Sequence, residues 1–218
     1  MWPRDVSTHV INLDLSLYLV LDPVQCGGHA RALEVTRAAL DGGVTIVQLR
    51  APEWHKRAWL DLALDLLPLT RRHGVPLIIN DHVDVALAAG ADGVHIGQND
   101  LPPDAARKLL GAQALIGLSV STGMQVDHAN TLGSVINYVG VGPVFDTPTK
   151  PDASAACGID GLAAMCTRSL HPTVAIGGIQ LHNAGDVKRA GPGGIAVVSA
   201  ICTAADPRLA AQRLLASS

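Results

Sequence analysis

The chain has 218 residues, of which 48% are hydrophobic, 16% charged and 3% aromatic, and its formal charge is −3. It is too apolar to be disordered, and its 22 glycines and 13 prolines fall in no short repeat, which excludes collagen-like and low-complexity classes. A near-neutral chain with so few aromatic rings offers no basic, base-stacking face, so no nucleic-acid partner is expected.

Apolar strand-like runs alternate with longer helical stretches. Residues 1–16 read as an arm or cap, and Leu17–Leu21 as the first strand. A helix rich in Ala, Leu, Arg and Glu follows at His29–Asp41. Next come a strand at Val44–Leu49 and a helix at Trp54–His73, with Trp59, Leu62, Ala63, Leu66 and Leu67 at helical spacing. The third strand, Pro76–Asn80, leads to a short Ala-rich helix at Val83–Ala89, and the fourth is Gly93–Ile96. Pro102 and Pro103 open a helix that runs to Leu110. Strands at Leu115–Ser119, Tyr138–Val141, Thr173–Ile176 and Ile195–Val198 complete the set. Helices are expected at Met124–Leu132, Asp160–Ser169, His182–Ala190 and Pro207–Ala216. Gly42, Gly74, Gly90, Gly111 and Gly191 stand where helices should stop.

Near-continuous apolar strands suit a parallel sheet covered on its outer face. Two architectures compete, an open doubly wound sheet and a closed barrel. Eight strands, and a length that divides into eight units of about 27 residues, favour one (β/α)8 TIM barrel over residues 17–218. No GxGxxG follows the first strand, which disfavours the dinucleotide-binding alternative. Charged or polar residues interrupt every apolar run, so no membrane partner is expected. Met1-Trp2-Pro3-Arg4-Asp5 lacks the basic-then-apolar pattern of an export signal. Cys26, Cys157, Cys166 and Cys202 have no CxxC spacing and read as free thiols in a reducing cytoplasm.

In such a barrel the site lies at the C-terminal ends of the strands. Those ends carry Gln48 and Arg50, Asn80 and Asp81, Gln98 and Asp100, Ser119 with Ser121 and Thr122, then Thr147, Thr149 and Lys150. Asp81 and Asp100 end adjacent strands and could share a cation. Two carboxylates without His or Cys suit Mg²⁺, which keeps waters and takes further oxygens from a substrate phosphate. The competing reading is that each aspartate caps a helix. Gly177-Gly178 and Ala196–Ser199 follow the last two strands, a common place for backbone amides to face a phosphate. His95 reads as a hydrogen-bonded barrel histidine, and Phe145 either as a wall of the site or as core.

The segments Val47-Gln48-Leu49-Arg50, Ile78-Ile79-Asn80-Asp81 and Gly90 through Pro102 resemble those of thiamine-phosphate synthases. So do Tyr138 through Phe145, Thr147-Pro148-Thr149-Lys150 and Ala175 through Ile179. The resemblance runs in order from Leu17 to Ile201. It implies Mg²⁺-dependent transfer of a hydroxymethylpyrimidine group from its pyrophosphate to a thiazole phosphate, giving thiamine phosphate and pyrophosphate. It also implies roles. Asp81 and Asp100 would hold Mg²⁺, Gln48 would orient the pyrimidine, and Arg50, Asn80, Ser119 and Lys150 would bind the pyrimidine substrate, mainly its pyrophosphate. Arg50, Ser119 and Lys150 would be the catalytic set. Thr147, Pro148, Thr149, Gly177, Gly178, Val198 and Ser199 would surround the thiazole phosphate.

Three positions depart from the family pattern. Pro52 stands where a lysine is usual, with Lys56 and Arg57 a turn farther on. Ser121 replaces a frequent histidine, and Asp146 a frequent proline. A thiazole tautomerase-like enzyme and a non-catalytic thiazole-phosphate-binding relative are the alternatives. Homo-oligomerisation is compatible with the sequence.

Overall fold

The computed structural model describes residues 13–147 and 154–217. Eight parallel strands pair in sequence order and close on themselves, β1 with β8. The strands are β1 Leu17–Leu21, β2 Ile46–Leu49, β3 Leu77–Asn80, β4 Gly93–Ile96, β5 Leu115–Val120, β6 Tyr138–Val141, β7 Thr173–Ile176 and β8 Gly194–Val197. Between and after them lie α1 Pro23–Cys26, α2 His29–Asp41, α3 Lys56–Arg72, α4 Val83–Ala89 and α5 Pro103–Leu110. Then come α6 Gly123–Thr131, α7 Gly158–Arg168, α8 Ala184–Arg189, α9 Ser199–Cys202 and α10 Pro207–Ala216. No helix among the described residues is long and apolar enough to cross a membrane.

The strands separate two apolar clusters. Leu17, Leu19, Leu21, Val47, Leu49, Ile79 and Val94 face outward and pack with Leu62, Leu66 and other helix residues. Tyr18, Val20, Ile46, Ile78, Leu115, Tyr138, Val174 and Ala196 face the barrel axis. Because both faces are buried, the strands carry no apolar–polar alternation, which is why they read as continuous runs. Leu13 and Leu15 of the leading segment pack into the lower end of the axial cluster. A Cβ at Gly194 would lie 1.8 Å from the Leu15 carbonyl oxygen, so glycine is what admits the segment there. Residues 1–12 lie outside the described residues.

Two half-buried cations tie the lower loops. Arg107 donates to the carbonyls of Gly111 (2.9 Å), Ala114 (2.6 Å) and Val135 (3.0 Å) and to Asn137 Oδ1 (3.0 Å). Lys188 Nζ donates to the carbonyls of Leu214, Leu215 and Ser217, which closes the end of α10. Both spend their charge mainly on backbone oxygens, at the face of the barrel that carries stability.

Gly42 stands at the end of α2, as expected of a stop signal, but not in the left-handed conformation. It has right-handed φ and ψ. A Cβ there would lie 2.5 Å from Arg208 O, so its glycine serves the close approach of α2 and α10. Mid-strand glycines serve the axis in the same way. A Cβ at Gly117 would sit 2.2 Å from Tyr138 Cζ and 2.5 Å from His95 Nδ1, and one at Gly140 would sit 2.9 Å from His95 Cε1. We expect Gly117→Ala to cost about 3 kcal/mol in urea unfolding with the slope unchanged, because the added methyl would overlap both rings. Wild-type stability in this variant would contradict that packing.

Candidate active site at the strand C-termini

The upper interior of the barrel is polar and bonded. Gln48 Nε2 donates to Tyr18 Oη at 2.7 Å. The Tyr18 and Tyr138 hydroxyls are 2.8 Å apart. Tyr138 Oη lies 3.1 Å from His95 Nδ1, and His95 Nε2 lies 2.9 Å from Ser119 Oγ. Five residues from five strands therefore form one chain across the axis. Burial pushes both tyrosine hydroxyls well above their ordinary pKa, so they stay protonated. Gln48 and the two tyrosines are buried, whereas His95 and Ser119 are half-buried.

Around this floor stand the charged strand ends. The Arg50 amide donates to Leu21 O (2.9 Å). Its half-buried guanidinium makes no hydrogen bond or ion pair among the described residues. Asp81 has φ 59° and is the one non-glycine residue in the left-handed region among those described. That conformation costs roughly 1–2 kcal/mol for an L-residue, and least for Asp or Asn. Asp81 N donates to His95 O (2.9 Å), and His82 N donates to Asn80 O (2.6 Å), which hold the turn. Asp100 Oδ2 accepts from Gly97 N at 2.7 Å. Neither aspartate caps a helix. The residues at the N-cap positions of α4 and α5 are His82 and Pro102.

His82 packs edge-on against buried Trp59, with ring centroids 4.8 Å apart. Burial first, and Lys56 second, push its pKa down, so it adds little positive charge beside Asp81. Lys56 pairs with Asp84 at 2.5 Å and Arg57 with Asp61 at 3.1 Å, both on the exposed surface. Each of these cations is thus already engaged by an exposed carboxylate.

On the other side of the mouth, Gly177 and Gly178 have φ of 108° and 65°. Cβ atoms there would lie 2.6 Å from Pro143 Cα and 2.7 Å from Phe145 Cβ. The glycine pair thus lets the loop after β6 lie on the end of β7, where Phe145 N donates to Gly177 O (3.1 Å). Phe145 packs on the outer core, and Asp146 is exposed. Gln180 Nε2 donates to Ser199 Oγ (2.8 Å) and joins the loops after β7 and β8 beside Val198. Ser121 Oγ donates to Gly142 O (2.7 Å), a tie between β5 and β6. Thr147 is half-buried, while Pro148, Thr149 and Lys150 lie outside the described residues.

The structure brings Gln48, Arg50, Asn80, Asp81, Asp100, Ser119, Gly177, Gly178, Val198 and Ser199 to one end of the barrel. Two hollows lie elsewhere, of about 280 Å³ between α6 and α7 and about 320 Å³ beside α9 and α10. None of Gln48, Arg50, Asp81 and Asp100 lines either. Among the described residues no three His, Cys, Asp or Glu side chains converge as a metal cage. A carboxylate pair that leaves other positions to water and phosphate oxygens fits a hard cation such as Mg²⁺ better than zinc. Sequence reasoning missed Tyr18, Tyr138 and Gln180. Glycine in the middle of β5 was the available signal for Tyr138, because it marks a close approach.

The family model described as thiamine monophosphate synthase matches residues 17–201. A thiamine-phosphate synthase of Laribacter hongkongensis is 54% identical over 207 residues, covering 94% of this chain and 95% of that protein. One of Albidiferax ferrireducens is 48% identical, covering 92% and 90%. A solved thiamine phosphate pyrophosphorylase of Pyrococcus furiosus superposes with a TM-score of 0.82 at 34% identity, covering 92% of this chain and 94% of that one. On the strength of that match, and of a closed eight-stranded barrel that superposes on a solved relative, this chain belongs to the thiamine monophosphate synthase family.

Proposed function

We infer that this protein is a thiamine-phosphate synthase, a transferase that joins a hydroxymethylpyrimidine, supplied as its pyrophosphate, to a thiazole phosphate. The observation that carries this reading is 54% identity to a protein of that name along nearly the whole of both chains. The carbon–oxygen bond to pyrophosphate breaks, and its electron pair leaves with the pyrophosphate. The thiazole nitrogen lone pair then forms the new carbon–nitrogen bond. No protein nucleophile is needed, so the residues serve to neutralise charge and to position two ligands.

The side chains suit those tasks. Arg50, with no competing partner among the described residues, is available to the pyrophosphate together with Asn80, Ser119 and, by family resemblance, Lys150. Asp81 and Asp100 would hold a magnesium ion, which would help neutralise the leaving pyrophosphate. Gln48 accepts from the pyrimidine through Oε1. By family resemblance, Thr147, Pro148 and Thr149, with the Gly177-Gly178 and Val198-Ser199 backbone, would surround the thiazole phosphate. Retention of Asn80, Asp81 and Asp100 favours this reading over a tautomerase, which has no pyrophosphate to hold. The four free thiols suit a reducing compartment such as the cytoplasm.

The direct test is a steady-state assay with both substrates and Mg²⁺. We expect thiamine phosphate and pyrophosphate in equal amounts, and folded protein without product above background would overturn the reading. Asp81→Asn and Asp100→Asn should each lower kcat/KM at least ~100-fold and weaken the dependence on Mg²⁺. Unchanged kinetics in both would refute the metal assignment. Lys56→Gln and Arg57→Gln, which break exposed ion pairs, should leave kcat/KM within about twofold of wild type. A hundredfold loss in either would place that cation in the pyrophosphate site after all.

A further inference from the structure

We propose that the buried chain Gln48–Tyr18–Tyr138–His95–Ser119 has one fixed polarity, and that this polarity makes the site select a ring bearing an amine over one bearing an oxygen at the same place. The proposal rests on the synthase reading, in which Gln48 meets the pyrimidine.

A tyrosine or serine hydroxyl has one hydrogen, and a neutral imidazole has one donor nitrogen and one acceptor. Gln48 Nε2 donates to Tyr18 Oη, so the Tyr18 hydrogen goes to its other neighbour, Tyr138 Oη. The Tyr138 hydrogen then goes to His95 Nδ1, which makes Nε2 the protonated nitrogen. Nε2 donates to Ser119 Oγ, and the Ser119 hydrogen is left for the mouth. The ends of the chain are therefore opposite in kind. Gln48 offers its carbonyl oxygen as an acceptor, and Ser119 offers a donor.

No water competes inside the barrel, since Tyr18 is 1% and Tyr138 0% exposed. The Tyr138 and His95 rings pack closely on Gly117 and Gly140, at distances that leave no room for a Cβ. Gln48 Oε1 has no protein partner among the described residues. It is also not fully buried, because Trp59 Nε1 is the single fully buried side-chain nitrogen or oxygen without a partner among them. Oε1 thus faces the mouth. An exocyclic amine on the ring donates to Oε1, while an anionic pyrophosphate oxygen accepts from Ser119. A ring with a carbonyl in place of the amine sets oxygen against oxygen at Gln48. To accept it the amide must turn over and every hydrogen must reverse, after which Ser119 presents a lone pair to the anion. The two ends are coupled through the chain.

The test compares the aminopyrimidine substrate with its oxo analogue in wild type and in Tyr138→Phe. Removal of that hydroxyl frees Tyr18 to donate to Gln48 Oε1, so the amide can turn. We expect the preference for the amine, as a ratio of kcat/KM values, to fall at least about tenfold. Differences in intrinsic reactivity between the two rings enter both proteins and cancel. A merely structural role would slow both substrates alike, and an unmoved ratio overturns the proposal. Tyr18→Phe, which releases the amide directly, gives the same readout if Tyr138→Phe does not fold.

The ratio is also read without turnover, as Kd values for the two hydroxymethylpyrimidine alcohols with magnesium pyrophosphate present. A wild-type protein that discriminates in binding, loses this in the variant, and makes no thiamine phosphate sinks the synthase reading while supporting the polarity. Normal turnover with unmoved ratios overturns the polarity alone. Wild-type binding that does not distinguish the two rings overturns it as well.

Discussion

Polar groups inside a closed barrel have no water to fall back on, and that constraint organises this molecule. Two tyrosine hydroxyls lie on the axis at the level of β1 and β6, where an unpaired hydroxyl would cost on the order of 1–3 kcal/mol. Each is satisfied by the other and by one further neighbour, Gln48 or His95. The chain ends only where it reaches the mouth, at Gln48 Oε1 and Ser119 Oγ. The two residues proposed to meet ligand are thus the two at which buried bonding stops. Their positions follow from the need to satisfy the groups beneath them. Gly117 and Gly140 belong to the same solution, because rings and hydroxyls fit on the axis only where facing strands lack a Cβ.

The barrel divides its labour along that axis. Below the chain the filling is apolar and ends on Leu13 and Leu15, and Arg107 and Lys188 spend their charges on loop and helix carbonyls. Above it, Arg50 makes no ion pair among the described residues, Asp81 adopts a left-handed turn, and Asp100 accepts a single backbone amide. The chemistry proposed for the site needs charge held ready at a leaving group rather than a nucleophile. Cations committed below and charge kept at the mouth above suit that demand.

Much of this was legible in the sequence because parallel strands and helix ends carry strong local signals. The strands Leu17–Leu21, Gly93–Ile96, Tyr138–Val141 and Thr173–Ile176 are found as read, and so are the helices His29–Asp41, Val83–Ala89 and Pro207–Ala216. The short helices α1 and α9 went unread, because four residues hold barely one turn and show no periodicity. The polar strand ends were legible because Gln48, Asn80 and Ser119 interrupt apolar runs. The alternative that Asp81 and Asp100 cap helices could not be removed without knowing that His82 and Pro102 occupy the cap positions. Tyr18 and Tyr138 were illegible for a different reason. They are 120 residues apart, and only closure of the barrel brings their hydroxyls together. The glycine pair at 177–178 shows how one signal can carry two demands, since its packing on Pro143 and Phe145 requires glycine before any phosphate is considered.

The account turns on the direction of the bonds beneath the site, and His95 reports that direction. Nitrogen NMR of the ring in the free protein distinguishes the two neutral tautomers. The account predicts a proton on Nε2, shared with Ser119 Oγ, and a bare Nδ1 accepting from Tyr138. A proton on Nδ1, with Nε2 accepting from Ser119, would mean that the chain runs the other way and would contradict the account.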